Sequence, residues 1–201
     1  MIPVAPKPEP ASFEAKVRHP GQAWLTAKGY SDLVALPAKA KVKDYWIKCL
    51  DDLLDAYDRV CAYASLRIAP VTGAHSVEHF APKSRTVAQI YEWSNYRLVC
   101  AKMNGRKSNF TDVLDPFLIG VQTFELLILN GSIRPSPTLD VAMLPAAEET
   151  IARLKLDDAE MRKTRLGIIN DYFAGEFKTA FLKRESPFIH SELARLNLLK
   201  P

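Results

Sequence analysis

The sequence predicts an α+β fold that is mainly helical, and three observations carry that reading. Apolar residues recur every three or four positions over several stretches, the spacing of helices that bury one face. The stretches with strand character are short and sit beside turn residues, Asn130-Gly131 above all. The chain has 201 residues, 48% of them hydrophobic and 25% charged, which is enough for a buried core in an ordinary globular composition.

Taken in order, residues 1–37 read as a Pro-containing leader and linker. They lack the basic-then-apolar pattern of a signal peptide. From 38 to 63 the positions Trp46, Cys49, Leu50, Leu53, Tyr57, Val60 and Cys61 line one face of an amphipathic helix, with Asp51, Asp52, Asp55 and Asp58 on the other sides. Residues 66–68 and 76–80 are short strands on either side of the loop 69–74, and Pro82 stops the second. Residues 86–93 form a connecting loop with room for one helical turn. Ser94 or Asn95 then caps a helix over 96–106, with Leu98, Val99 and Met103 packed beneath the strands.

Further on, 112–117 is a turn. Residues 123–129 and 132–134 form a β-hairpin around Asn130-Gly131, which Pro135 and Pro137 end. Helices follow over 146–154, 157–183 and 187–198; Leu166, Ile169, Phe173, Phe177 and Phe181 supply the buried stripe of the second. The expected organisation is therefore a leader (1–37), a central region (38–120) and a hairpin with C-terminal helices (121–201), the last two forming one compact unit. No internal repeat is visible.

Composition excludes some classes. No apolar run reaches the roughly 18 residues of a membrane span, so no membrane partner is expected and the cytoplasm is the default location. Three cysteines, Cys49, Cys61 and Cys100, argue against a disulfide scaffold. The net charge of +4 permits nucleic-acid binding. Its distribution says more: Lys83, Arg85, Arg97, Lys102, Arg106 and Lys107 face only Glu92 in the same stretch, and that density favours an anionic polymer. The chain has no G-x-x-x-x-G-K-[ST] phosphate loop.

The chemistry concentrates between Cys61 and Asn109. Glu78-His79 follows a short apolar run and leads into Pro82-Lys83-Ser84. Asn95 sits in W-S-N-Y-R-L, and Asn104 opens N-G-R-K-S-N. A carboxylate beside a histidine can place a divalent ion next to a general base, and the amide oxygen of Asn104 is a hard neutral ligand for Mg²⁺ or Mn²⁺. An imidazole of ordinary pKa, about 6.5, takes a proton from water near neutral pH.

Those residues resemble the HNH (His-Me finger, ββα-metal) endonucleases. In that family a strand ends in an acidic residue plus His, a loop carries Asn, and a helix delivers the last ligand; Glu78-His79, Asn95 and Asn104 match in turn. The nine-residue step from Asn95 to Asn104 and the N-x-x-K-S tail are similar to the HNH domain of RNA-guided CRISPR nucleases. The framing E-H-F-x-P-K-S, Y-E-W-x-N-Y-R-L-x-C and D-P-F is closer to small HNH proteins of bacterial anti-phage systems of the Septu and retron-associated type, which work beside an ATPase. The matching core covers roughly a quarter of the chain.

The resemblance implies a ββα-metal finger embedded in a helical scaffold with one extra hairpin. It implies hydrolysis of DNA phosphodiesters with His79 as base, Glu78 and Asn104 as ligands of Mg²⁺ or Mn²⁺, and Asn95 orienting His79 or the loop. Lys83, Arg106 and Lys107 would hold the nucleic acid. An ATPase partner and a homo-oligomer are further expectations, with a role in antiviral defence. Two alternatives stay open: a catalytically inactive module that binds nucleic acid or a partner, and a nuclease acting on RNA.

The chain departs from the family in two places. Many members carry two C-x-x-C pairs whose thiolates hold structural Zn²⁺. Here they read Cys61-Ala62-Tyr63-Ala64 and Cys100-Ala101-Lys102-Met103, with one Cys left in each, so no structural zinc is expected. Many relatives also have Asp where this chain has Glu78, one methylene longer.

Overall fold

Alternating residues over His75–His79 make a strand, β1, that pairs antiparallel with β2, Tyr96–Cys100. Val77 lies opposite Leu98, Glu78 opposite Arg97 and His79 opposite Tyr96. A helix, α3 (Ala101–Lys107), follows β2 without a break. These assignments come from a computed structural model that describes residues 1–32, 36–37 and 40–200. The fold is α+β and mainly helical, with two small antiparallel sheets. No helix among the described residues is long and apolar enough to cross a membrane.

The chain divides into two compact units. The first comprises Met1–Ala5, Val60–Ile68 and Asp112–Pro201; the second comprises Pro6–Arg59 and Ala69–Thr111. The expected segment boundaries differ from this division, because contacts rather than sequence order decide which stretches share a core.

In the second unit part of the expected leader, residues 14–27, is helical. A wide π turn, Glu14–Arg18, runs into α1, His19–Ala27, and Phe13 and Val17 are fully buried. Arg18 binds Glu9, Glu14 and Glu92 at once, which joins this helix to the loop that precedes β2. The helix expected over 38–63 is shorter: its first residues lie outside the described ones, a 3₁₀ turn spans Tyr45–Cys49, and α2 covers Leu50–Ala56.

Two element assignments change here. The partner of β1 is 96–100, where a helix was expected, and not 66–68. Tyr, Val and Leu in 96–100 satisfy either periodicity, and the exposed edge of β1 selects the strand. Residues 60–67 belong to the first unit, where Val60 and Arg67 form an isolated antiparallel bridge. Ser94 and Asn95 therefore cap no helix; they lie in or beside a 3₁₀ turn, Trp93–Asn95, that feeds β2.

The first unit holds β3, Phe124–Leu127, paired antiparallel with β4, Ser132–Pro135. Gly131 has φ +68, and a Cβ there would sit 2.6 Å from the Arg162 carbonyl, so the turn needs glycine. The loop has four residues, where a two-residue turn was expected. Four helices follow: α4 (Leu144–Leu154), α5 (Ala159–Ala174), α6 (Thr179–Glu185) and α7 (Pro187–Arg195). Asp158 caps α5 by accepting from the Met161 amide at 2.8 Å. The single helix expected over 157–183 is two, because Gly175 at φ +87 ends α5 in the left-handed conformation. That break dissolves the expected stripe: Phe173 and Phe181 are 40% and 43% exposed. Glu192 on α7 accepts from the Leu126 amide at 2.9 Å and closes the free edge of β3.

Gly21 generates a test of the packing around the site. A Cβ there would lie 2.3 Å from the ring of Tyr91, so α1 and the pre-β2 loop touch only because residue 21 is glycine. Gly21→Ala is expected to destabilise the protein by about 1–3 kcal/mol through overpacking, read as a lower urea midpoint. An unchanged midpoint would rule out this close approach.

Candidate active site

The second unit positions every residue singled out by the sequence pattern. β1 carries Glu78 and His79 on opposite faces, as alternation requires. The loop between β1 and β2 delivers Asn95, and α3 delivers Asn104, Arg106 and Lys107.

His79 is 6% exposed. Its ring meets Trp46 edge-on at 4.7 Å and Tyr96 at 5.0 Å. Nε2–H donates to the Ile90 carbonyl at 2.9 Å, which puts a proton on Nε2; in the uncharged ring the lone pair is then on Nδ1. The Tyr96 hydroxyl donates to the same carbonyl at 2.8 Å. Burial, reinforced by the charge of Lys83, pulls the imidazole down to about 3.

Asn95 is 3% exposed and fully used by the backbone. Its Oδ1 accepts from the Ala81 amide at 2.7 Å, and Nδ2 donates to the carbonyls of Ala81 (3.1 Å) and Gln89 (2.9 Å). It ties both ends of the loop whose Ile90 carbonyl holds His79.

Glu78 faces α3. Lys107 Nζ lies 3.2 Å from its Oε1 and donates to the Phe80 carbonyl at 3.1 Å. Both side chains are sealed, at 3% and 0% exposure. Burial pushes the Glu78 carboxyl up to about 7, against the pull of Lys107, Lys83 and Arg97. Asn104 reaches the same strand two residues earlier, its Nδ2 donating to Ser76 Oγ at 2.6 Å. Glu78 and Asn104 are thus on one layer, each engaged by a different neighbour.

The basic face is smaller than the sequence implies. Lys107, expected to touch phosphate, is inside, and so is Arg97, which donates to the carbonyls of Ser94 and Tyr96. Arg106 is half-buried. Lys83 is half-buried with its ammonium 4.4 Å above the Trp46 ring, and burial lowers its pKa. The aromatic wall of Trp46, Tyr91 and Tyr96 around His79 was not anticipated. In the sequence Trp46 reads as helix packing alone, and no periodic signal links it to His79.

Donor chemistry decides whether a metal fits. Among the described residues no group of three or more His, Cys, Asp or Glu is poised to hold an ion. Mg²⁺ commonly takes one or two protein oxygens and completes its shell with water and phosphate. Glu78 and Asn104 offer one carboxylate and one amide oxygen of that kind, with the carboxylate held by Lys107. Cys61 lies in the first unit, while Cys100 and Met103 lie in the second.

The two buried groups have opposite linkage to pH. The His79 pKa is lowered, so its contribution is complete above about 6.5 and is lost as pH falls toward 3. The Glu78 pKa is raised, so its contribution is complete below 4.5 and is lost as pH rises through about 7. Between those limits they oppose each other. Relative to wild type, His79→Gln should make stability fall with rising pH, and Glu78→Gln should make it rise, each by up to about 1.4 kcal/mol per pH unit. Urea midpoints measured across that window check both signs; parallel slopes in all three proteins would contradict the assignment.

Scanned against protein-family models, the chain matches none, and a search of curated proteins finds no match.

Proposed function

We propose that this chain is a metal-dependent endonuclease of the HNH type that hydrolyses DNA phosphodiesters. The observation that carries the reading is the strand–loop–strand–helix unit with a neutral histidine whose Nε2–H is held by a backbone carbonyl. That hydrogen bond leaves Nδ1 of the uncharged ring as the nitrogen available to act as a base.

In this reading His79 Nδ1 accepts the proton of the water that attacks phosphorus. The Ile90 carbonyl steadies the imidazolium by accepting from Nε2–H, and Asn95 keeps that carbonyl in place. Glu78 and Asn104 would hold Mg²⁺ or Mn²⁺. When bound, the ion neutralises the phosphate and the leaving oxygen. Lys83 and Arg106 would hold the backbone on either side, giving contacts that carry little sequence information and weaken with salt. The family resemblance further suggests an effector of bacterial anti-phage defence working with an ATPase. A second reading, a nucleic-acid or partner-binding module without catalysis, is favoured by one observation: Lys107 satisfies the Glu78 carboxylate from within.

Supercoiled plasmid incubated at low salt with Mg²⁺ or Mn²⁺ tests the choice, with EDTA as control. Nicked or linear product should require the metal, and His79→Gln should slow its appearance by about 10²–10⁴-fold. Asn104→Ala should raise the metal concentration needed for cleavage. Intact plasmid in every lane, and intact RNA in a parallel series, would favour the binding module.

A further inference from the structure

The Lys107–Glu78 pair is buried more completely than any other ion pair described for this chain. A lysine ammonium is rarely sealed from water unless paired, and a buried carboxylate stripped of its cation is strongly unfavourable. The ionised Glu78 carboxylate therefore needs a positive charge beside it. In this structure Lys107 supplies it, with the Phe80 carbonyl as second acceptor and the Phe80 ring 5.5 Å away.

A divalent ion on the same carboxylate would meet that ammonium at contact range in a low-dielectric interior, where like charges repel strongly. The two cations exclude each other. Asn104 and Lys107 are three residues apart on α3 and share a face, so the amide ligand is already on the layer that Lys107 occupies. Lys107 is the last residue of α3, followed by exposed Ser108 and Asn109, and its four-carbon stem can carry the ammonium outward.

We propose that Lys107 is the resident counter-ion of the Glu78 carboxylate, and that a divalent cation enters this site by displacing the Lys107 ammonium to the surface. The inference rests on the metal site of the nuclease reading. It deepens that reading: the site is closed by its own lysine until an ion arrives, and the same ion exposes a cation suited to substrate phosphate.

Wild-type protein is titrated with MnCl₂ by calorimetry and, in parallel, acylated with an N-hydroxysuccinimide ester in EDTA or in Mn²⁺, with the modified lysines mapped by mass spectrometry. In EDTA, Lys107 should resist acylation while exposed Lys102 on the same helix reacts. Mn²⁺ should speed acylation of Lys107 by about tenfold or more and leave Lys102 unchanged. Glu78→Gln should abolish Mn²⁺ binding and leave Lys107 reactive even in EDTA. Mn²⁺ binding with Lys107 still protected would overturn the exchange and leave the metal site standing. Absence of Mn²⁺ binding to wild type would overturn the metal site itself, and the exchange with it.

Discussion

The carbonyl oxygen of Ile90 accepts two hydrogen bonds in the interior of the second unit, from His79 Nε2–H and from the Tyr96 hydroxyl. A carbonyl has two lone pairs, and here both are used. The arrangement depends on a loop held in one conformation, and Asn95 provides the hold by bonding the backbone at Ala81 and Gln89. Remove any one of these and a buried polar group loses its partner, which costs more than the bond itself contributes. The orientation of the histidine is therefore a property of the loop, not of the strand that carries it.

Around that carbonyl the unit is built from aromatic rings. Trp46 and Tyr96 flank His79, Tyr91 lies beside Trp46 at a shallow angle, and Phe13 from the N-terminal helical segment packs edge-on to Tyr96. Desolvation by these rings is the largest cause of the low imidazole pKa. Packing and chemistry are thus one device: the rings that stabilise the unit also keep the histidine neutral. Arg18 secures the outer side by gathering Glu9, Glu14 and Glu92.

On the opposite face of β1 the unit stores charge instead of excluding it. Glu78 and Lys107 neutralise each other, with Lys83 and Arg97 acting on the carboxyl from farther off. The carboxylate is met directly by the Lys107 ammonium at 3.2 Å. Alternation along the strand puts an imidazole and a carboxylate on adjacent residues with different immediate neighbours, aromatic rings for one and Lys107 for the other.

The sequence by itself determined the coarse fold class, α+β and mainly helical, and it singled out Glu78, His79, Asn95 and Asn104 by their types and spacing. The hairpin of β3 and β4 was legible from Asn130-Gly131, although its loop has four residues and not two. It did not determine whether 96–100 would be strand or helix, since Tyr96, Leu98 and Val99 suit both periods and only the edge of β1 decides. Nor did it reveal that residues 14–27 are helical, because Phe13, just before them, lacks meaning until the rings of Trp93 and Tyr96 pack against it. The largest change concerned Lys107. A lysine near a site reads from sequence as a surface cation, since most lysines are solvated. Only the tertiary structure, by placing it one helical turn from Asn104 and directly over Glu78, turned it inward, because a buried carboxylate must find its counter-charge within reach.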